Sequence, residues 1–194
     1  MSMKSVAAGA ALAIGGRALI PQGLLLKFRR DVRRLDRGEY STLLKAYGDD
    51  AVLHFNHGDH RWAGDWAGKA NIERFLQNYT AAKVQGQIRG VAVSGPPWAL
   101  TMLVRFDDHA DGPDGAWLYE NRTVLVLRTR WGKIVDQEDF YVDTANIVAF
   151  DRALSALGVL PVAKTSASSG ANGASPPTWV REEDADPQRA PSRL

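Results

Sequence analysis

The chain has 194 residues, of which 45% are apolar and 24% are charged, the proportions of an ordinary soluble globular domain. It has no cysteine, which excludes disulfides, thiolate nucleophiles and cysteine-bound metals and fits a cytoplasmic location. Residues 1–37 hold eight basic and two acidic residues, whereas residues 38–163 hold 12 basic and 16 acidic ones. This acidic central region argues against nucleic-acid binding.

The N-terminal stretch "SVAAGAALAIGG", residues 5–16, is uncharged and rich in small residues. Twelve residues are too few to span a bilayer as a helix. One interpretation is a signal peptide, with Lys4 as its basic start and "ALA" at 11–13 as its cleavage site. The favoured interpretation is a flexible or loosely helical leader over residues 1–21.

The first predicted helix is "LLLKFRRDVRRLDRGEY", in which Leu25, Phe28, Val32 and Leu35 share one face. It is interpreted as the first helix of the domain, with its apolar stripe on the core and its arginines in water. A basic amphipathic helix resting on anionic lipid is the other interpretation, and peripheral membrane contact stays open for the N-terminal arm. The arginines are Arg29, Arg30, Arg33, Arg34 and Arg37.

The next elements follow in a clear order. A short helix in "EYSTLLKAYGDD" is expected to end near Gly48, before a strand "AVLHFNH" and its hairpin partner "HRWAGDWAG". Gly68 precedes a third helix, "KANIERFLQNYTAAK". Four strands come next, and the last helix is "TANIVAFDRALSAL"; the strands are "VQGQIRGVAVS", "WALTMLVRFDD", "AWLYENRTVLVLRTR" and "KIVDQEDFYVD".

This order predicts an α+β fold in which helices lie in one side of a curved antiparallel β-sheet, forming a cone with a C-terminal helix. The domain is expected to cover residues 22–162. Residues 163–194 are rich in Ser, Gly, Ala and Pro, which predicts a disordered tail. Ligands of such a cone enter at its mouth.

Four segments carry a resemblance to a known family: "DDAVLHF", the Trp/Gly-rich hairpin, "GKANIERF" and "GKIVDQEDFYVD". Together they resemble the nuclear-transport-factor-two-like superfamily and its SnoaL-like branch, over about residues 24–158. The resemblance implies a cone with a ligand pocket and a homodimer formed through the outer sheet surface. Members include isomerases, polyketide cyclases, epoxide hydrolases and binding-only domains, so fold alone does not give function.

One motif is similar to that of the limonene epoxide hydrolase family, an Arg-x-Asp pair on a late strand and an aspartate on the final one. Here "VRFDD" supplies Arg105 and Asp107, and Asp139 lies seven residues after Gly132 of the "GK" turn. The resemblance implies that ionised Asp139 takes a proton from water and protonated Asp107 gives one to the epoxide oxygen. Arg105 would lie between the two carboxyl groups.

The first strand departs from that family, because Leu53 and Phe55 stand where it has a tyrosine and an asparagine. A one-residue bulge would bring His54 and Asn56 to the pocket instead. Leu53 and Phe55 therefore cannot position a water molecule as that tyrosine and asparagine do.

Strand alternation places Gln137, Asp139 and Tyr141 on one face of the last strand, and Arg105 and Asp107 together on theirs. If both faces line the cone, two carboxyl groups and a guanidinium meet in an apolar cavity, where one acid is held protonated and the other ionised. The alternative is a structural Arg–Asp network at the mouth of the cone.

The predicted function is that of a SnoaL-like small-molecule domain. If the domain is an enzyme, it is expected to carry out cofactor-free acid–base chemistry on an isoprenoid, steroid or polyketide-type substrate. The alternative is a non-catalytic binding or dimerisation module held near a membrane. No metal is expected, since His54, His57 and His60 are three residues apart and would point to opposite faces of a strand. The acid–base chemistry needs no organic cofactor. Catalysis is assigned to Asp139, Asp107 and Arg105, and substrate contact to Leu53, His54, Phe55, Asn56, Trp66, Gln137 and Tyr141.

Overall fold

The structure is a computed structural model that describes residues 23–165. The predicted leader, residues 1–21, and all but the first three residues of the predicted tail lie outside the described residues. No helix within the described range is both long and apolar enough to cross a membrane.

Four helices are described. Residues 23–35 are helical (α1), and α2, α3 and α4 cover Ser41–Leu44, Lys69–Ala81 and Thr144–Ala156. The second helix is shorter than expected, because the chain already enters a strand at Tyr47. Helix α4 begins where sequence predicts, with the side chain of Asp143 accepting a hydrogen bond of 2.9 Å from the backbone N–H of Asn146.

Six strands form one curved sheet in the order β2-β1-β6-β5-β4-β3. Strands β3 to β6 pair antiparallel in sequence, as does the early β1–β2 hairpin, but β1 and β6 pair in parallel. The sheet is therefore mixed and open, and not wholly antiparallel. The strands are β1 Tyr47–Phe55, β2 Gly64–Ala67, β3 Gln85–Ser94, β4 Thr101–Asp111, β5 Trp117–Arg130 and β6 Lys133–Tyr141.

The core lies between the helices and the inner face of the sheet. Helices α3 and α4 contribute their apolar faces through Ile72 and Ile147, both fully buried, as the helical spacing predicts. Partly buried side chains of α1 pack against the same core, so its apolar stripe faces the domain.

Alternation decides which strand residues reach this core. On β4 the buried residues are the even-numbered ones, from Met102 to Ala110, and Arg105 is exposed. On β6 a register shift near Thr129 and Ile134 lets Ile134 and Gln137 both face inward although they are three residues apart.

After α4 the chain returns along α3. The buried side chain of Asn78 accepts a hydrogen bond of 2.7 Å from the Val162 N–H and donates one of 2.9 Å to its carbonyl oxygen. Lys164 lies over the ring of Trp66, 4.5 Å from its centroid. These contacts fasten the C-terminal part of residues 159–165 to α3 and β2.

Candidate active site

A cavity lies between α1, α2 and α3 and the inner face of β1, β4, β5 and β6. Its volume is about 90 Å³, and its walls are mostly aliphatic and aromatic side chains. Three polar side chains, Tyr47, Gln137 and Asp139, stand close together on its sheet side. An apolar cavity with a few convergent polar groups is the usual form of a small-molecule site.

Asp139 is the acid of this cavity. Its Oδ1 accepts a hydrogen bond of 2.8 Å from Nε2 of Gln137, whose Oε1 in turn accepts one from the Tyr47 hydroxyl. Burial raises the pKa of Asp139 to about 7, while the Gln137 hydrogen bond opposes that shift. A carboxyl group with this pKa can both take and return a proton near neutral pH.

Asp108 is a second buried acid on the same face of the sheet. The Tyr141 hydroxyl donates a hydrogen bond of 3.1 Å to its Oδ2, and its Oδ1 has no partner among the described residues. Burial raises the pKa of Asp108 to about 7; the Tyr141 hydrogen bond opposes this and the charge of Asp139 adds to it. The two acids therefore titrate as an interacting pair.

Tyrosines separate the two acids. Tyr79 and Tyr141 line the main cavity and also a smaller chamber of about 20 Å³, which Asp108 and Tyr119 line as well. Burial raises the pKa of Tyr79 and of Tyr141 well above the ordinary value, so both remain hydrogen-bond donors. Within residues 23–165 the Tyr79 hydroxyl has no hydrogen-bond partner. It is available to an oxygen atom of a ligand.

The structure does not bring Arg105 and Asp107 to this site. Both side chains point to the outer face of β4, where Arg105 is exposed and Asp107 accepts a hydrogen bond of 2.7 Å from Nε of Arg89. The prediction that they share a cavity with Asp139 is wrong. The apolar residues of β4 occupy the even positions, and their burial turns the odd positions outward.

The first strand also differs from one prediction. Leu53 lines the main cavity and Phe55 the smaller chamber, whereas His54 points outward. Its ring nitrogens lie 2.9 Å from Asp65 Oδ1 and 3.3 Å from Asp136 Oδ2. The bulge that would have turned His54 inward is therefore not present at this position.

Two other residues expected to contact a substrate lie away from both cavities. Trp66 is buried in the core, and its Nε1–H donates a hydrogen bond of 2.8 Å to the carbonyl oxygen of Trp62. The Asn56 amide lies 3.3 Å from Nε2 of His60. Of the predicted contact residues, Gln137 and Tyr141 join Leu53 on the wall of the main cavity. The described residues contain no group of three or more His, Cys, Asp or Glu side chains that could hold a metal ion.

Sequence reasoning missed Asp108, Tyr47 and Tyr119. A signal for Asp108 was present: in "TMLVRFDDHAD" the residues Met102, Val104 and Phe106 alternate with polar neighbours, and the next member of that series is Asp108. No comparable signal marks Tyr47, because it lies at the start of a strand that was expected to begin later.

No protein-family model and no curated protein sequence matches this chain. Solved structures do resemble it. Bal32a, from a soil-derived mobile gene cassette, is 19% identical with a TM-score of 0.51, and the match covers 64% of this chain and 93% of that one. An NTF2-like protein from Anabaena variabilis is 20% identical with a TM-score of 0.46, over 61% and 86%. SalBIII, an epoxide hydrolase/cyclase-like enzyme of pyran ring formation in the polyether salinomycin, is 14% identical with a TM-score of 0.49, over 61% and 89%.

Identities this low describe a shared fold and not a shared activity. The fold expected from the sequence is confirmed at that level: residues 23–165 form an α+β domain with one curved sheet, and this domain shares the fold of Bal32a.

Proposed function

We propose that the domain binds an apolar small molecule carrying one carbonyl group and moves a proton on it with Asp139, without a cofactor. The observation that carries this proposal is the carboxyl group of Asp139, held by Gln137 on the wall of an otherwise apolar cavity. Isoprenoid, steroid and polyketide-type molecules have the required chemistry, since they are mostly hydrocarbon with few oxygen functions.

The proposed step is a proton transfer next to the carbonyl. Ionised Asp139 takes a proton from the adjacent carbon, and the electron pair of that C–H bond moves toward the carbonyl oxygen. The Tyr79 hydroxyl donates a hydrogen bond to this oxygen as its negative charge develops. Protonated Asp139 then returns the proton to a carbon atom of the enolate, which completes an isomerisation when the proton reaches a different carbon or the opposite face.

The amide of Gln137 has a separate part in this chemistry. Its Nε2–H group stabilises the ionised form of Asp139, and its Oε1 is held by Tyr47, so the amide cannot turn over without losing both hydrogen bonds. Asp139 therefore remains ionised in a useful fraction of molecules despite its burial.

Epoxide hydration by Asp139, Asp107 and Arg105 is not supported. That chemistry needs all three side chains around one substrate, and the sheet separates Asp107 and Arg105 from the cavity.

Proton transfer can be tested before the natural substrate is identified. The protein is incubated in D2O with a panel of cyclic terpenoid, steroid and polyketide-type ketones, and deuterium incorporation is followed by mass spectrometry. We expect incorporation into at least one class, abolished in Asp139→Asn and retained in Asp107→Asn, which removes a carboxylate from the outer face of β4.

The outcome also separates an enzyme from a binding domain. In one outcome the ketones bind tightly but gain no deuterium, and their affinity is the same for the unchanged protein and for Asp139→Asn. The domain would then be a non-catalytic ligand-binding domain. Absence of binding by every class would remove the small-molecule proposal itself.

We further propose that two copies pair through the outer face of the sheet. Leu103, Val124 and Phe140 are 46%, 39% and 51% exposed there, and Val124 lies directly beside Phe140 in the strand register. Single exposed apolar residues are common, but neighbouring ones on one flat face indicate an interface. Phe140→Lys should be a monomer in sedimentation equilibrium. The control Trp131→Lys, at an exposed turn, should have the same mass as the unchanged protein. An unchanged mass for both variants would exclude this interface.

A further inference from the structure

Helix α1 has two chemically different faces. Phe28, Val32 and Leu35 point inward and line the main cavity. The opposite face carries Leu26 followed at helical spacings of three, four and seven by Arg29, Arg30 and Arg33, all exposed. One helix thus forms both a wall of the ligand cavity and a basic outer surface.

The basic surface is not neutralised locally. Two acidic residues are near it in sequence, Asp31 and Asp36. Asp31 lies on the other side of the helix, where it is buried and receives a hydrogen bond of 2.7 Å from Lys27. Asp36 follows the helix and accepts a hydrogen bond of 3.1 Å from the backbone N–H of Gly86. Within residues 23–165 none of the guanidinium groups of Arg29, Arg30 and Arg33 lies within salt-bridge distance of a carboxylate. Three positive charges therefore face outward together.

An apolar side chain accompanies them. Leu26 is 68% exposed at the beginning of the arginine row, and the chain that precedes α1 contains the uncharged segment 5–16. A row of arginines alone would suit any polyanion. Arginines combined with an exposed leucine and an adjoining apolar segment suit an anionic bilayer, where charges meet headgroups and apolar groups enter the acyl boundary.

We propose that the outer face of α1, defined by Leu26, Arg29, Arg30 and Arg33, docks on bilayers that contain anionic lipid. The docking does not depend on any chemistry inside the domain. Its consequence for ligand supply rests on the proposed function: docking places a wall of the cavity beside the phase in which apolar molecules dissolve.

Vesicle co-sedimentation of the full chain tests this proposal. The vesicles are phosphatidylcholine alone or phosphatidylcholine mixed with phosphatidylserine. We expect binding only to the mixed vesicles, weakened by salt, and reduced roughly a hundredfold in the Arg29→Gln/Arg30→Gln/Arg33→Gln variant, since each basic residue contributes about fivefold. At high salt the apolar contact dominates, so Leu26→Ser should weaken the vesicle binding that salt leaves.

The matched control is Arg74→Gln/Arg130→Gln/Arg152→Gln, which removes the same charge from other elements and should bind as the unchanged protein does. Equal loss in both triple variants would indicate a net-charge effect and overturn the proposal, as would the absence of any dependence on phosphatidylserine. The protein could instead bind a homopolymeric RNA and not vesicles, and lose the RNA binding when the α1 arginines are substituted. That result would overturn the membrane proposal in favour of nucleic acid. Asp139→Asn should bind the mixed vesicles as the unchanged protein does. A failure of the docking proposal is therefore distinguishable from a failure of the proton-transfer proposal.

Discussion

The side-chain amide of Gln137 donates a hydrogen bond of 2.8 Å to Oδ1 of Asp139, two residues further along the same strand and on the same face. Strand alternation makes such neighbours share a face, and here the pair meets inside an apolar cavity. The amide favours the charged form of an acid that burial would otherwise keep neutral. Local geometry on one strand thus offsets part of the desolvation cost that burial in the whole domain imposes on ionised Asp139.

Removing this donor should shift the titration of Asp139. In Gln137→Leu the ionised form loses its hydrogen bond, so the pKa rises above about 7. Deuterium exchange should then reach half its maximal rate at a higher pH than in the unchanged protein, while Gln87→Leu on β3 should have no effect. An unchanged midpoint in Gln137→Leu would show that the amide does not control Asp139.

Burial of the two acids should make the fold less stable as pH rises. Their folded pKa of about 7 lies above the ordinary value of 3.8, so between these values the folded protein holds more protons than the unfolded chain. The free energy of unfolding should therefore fall from about pH 4 to about pH 7. Asp139→Asn has no proton to lose at that position. Urea denaturation should therefore find this variant more stable than the unchanged protein at the upper end of the pH range. At the lower end the two should have similar stability.

Two tyrosines should respond differently to loss of their hydroxyl groups. Tyr47→Phe leaves Oε1 of Gln137 without its donor and should cost about 1–3 kcal/mol of stability. Tyr79→Phe removes a hydroxyl that has no partner among the described residues, so stability should stay the same or rise. Affinity for a ketone ligand should instead fall about tenfold in Tyr79→Phe, as measured by fluorescence titration; equal affinity would remove Tyr79 from the proposed site.

Adjacent aspartates on β4 allow a direct test of strand orientation. Asp107→Asn lies on the outer face and should leave deuterium exchange unchanged. Asp108→Asn removes a charge that interacts with Asp139, and since interaction between two acids is reciprocal, the pH midpoint of exchange should move lower. A loss of activity in Asp107→Asn alone would restore the arrangement implied by the sequence motif.

Fastening of the C-terminal part of residues 159–165 to α3 should contribute to stability. Asn78→Ala leaves both backbone groups of Val162 without their buried partner and should lower the free energy of unfolding by roughly 3 kcal/mol. Asn71→Ala also removes hydrogen bonds to this segment, at Thr165, but water can replace them at that more exposed position. Equal losses in the two variants would show that burial of Asn78 does not matter.

Much of the fold could be predicted because its signals are local. Helices α3 and α4 have apolar residues at helical spacing, and Asp143 supplies a side-chain cap where the last helix begins. Four late strands separated by turns predicted the long antiparallel part of the sheet. The parallel pairing of β1 with β6 joins segments about 80 residues apart, and no local pattern encodes it.

The site was predicted only in part. Asp139, Gln137 and Tyr141 share the inward face of β6, as alternation requires. On β4 a motif drawn from a resemblance placed Arg105 and Asp107 in the cavity, although the apolar residues of that strand alternate in the opposite phase. The shift of one residue exchanges the two faces and replaces Asp107 by Asp108.

By itself, the sequence determined the elements, the overall α+β class and the face of β6 that carries an acid, because spacing and alternation are properties of neighbouring residues. Only the tertiary structure decided which acids meet and which tyrosine lacks a partner among the described residues. Those relations depend on segments far apart in the chain. Burial, which raises the pKa of Asp139 and Asp108, exists only once these segments have packed together.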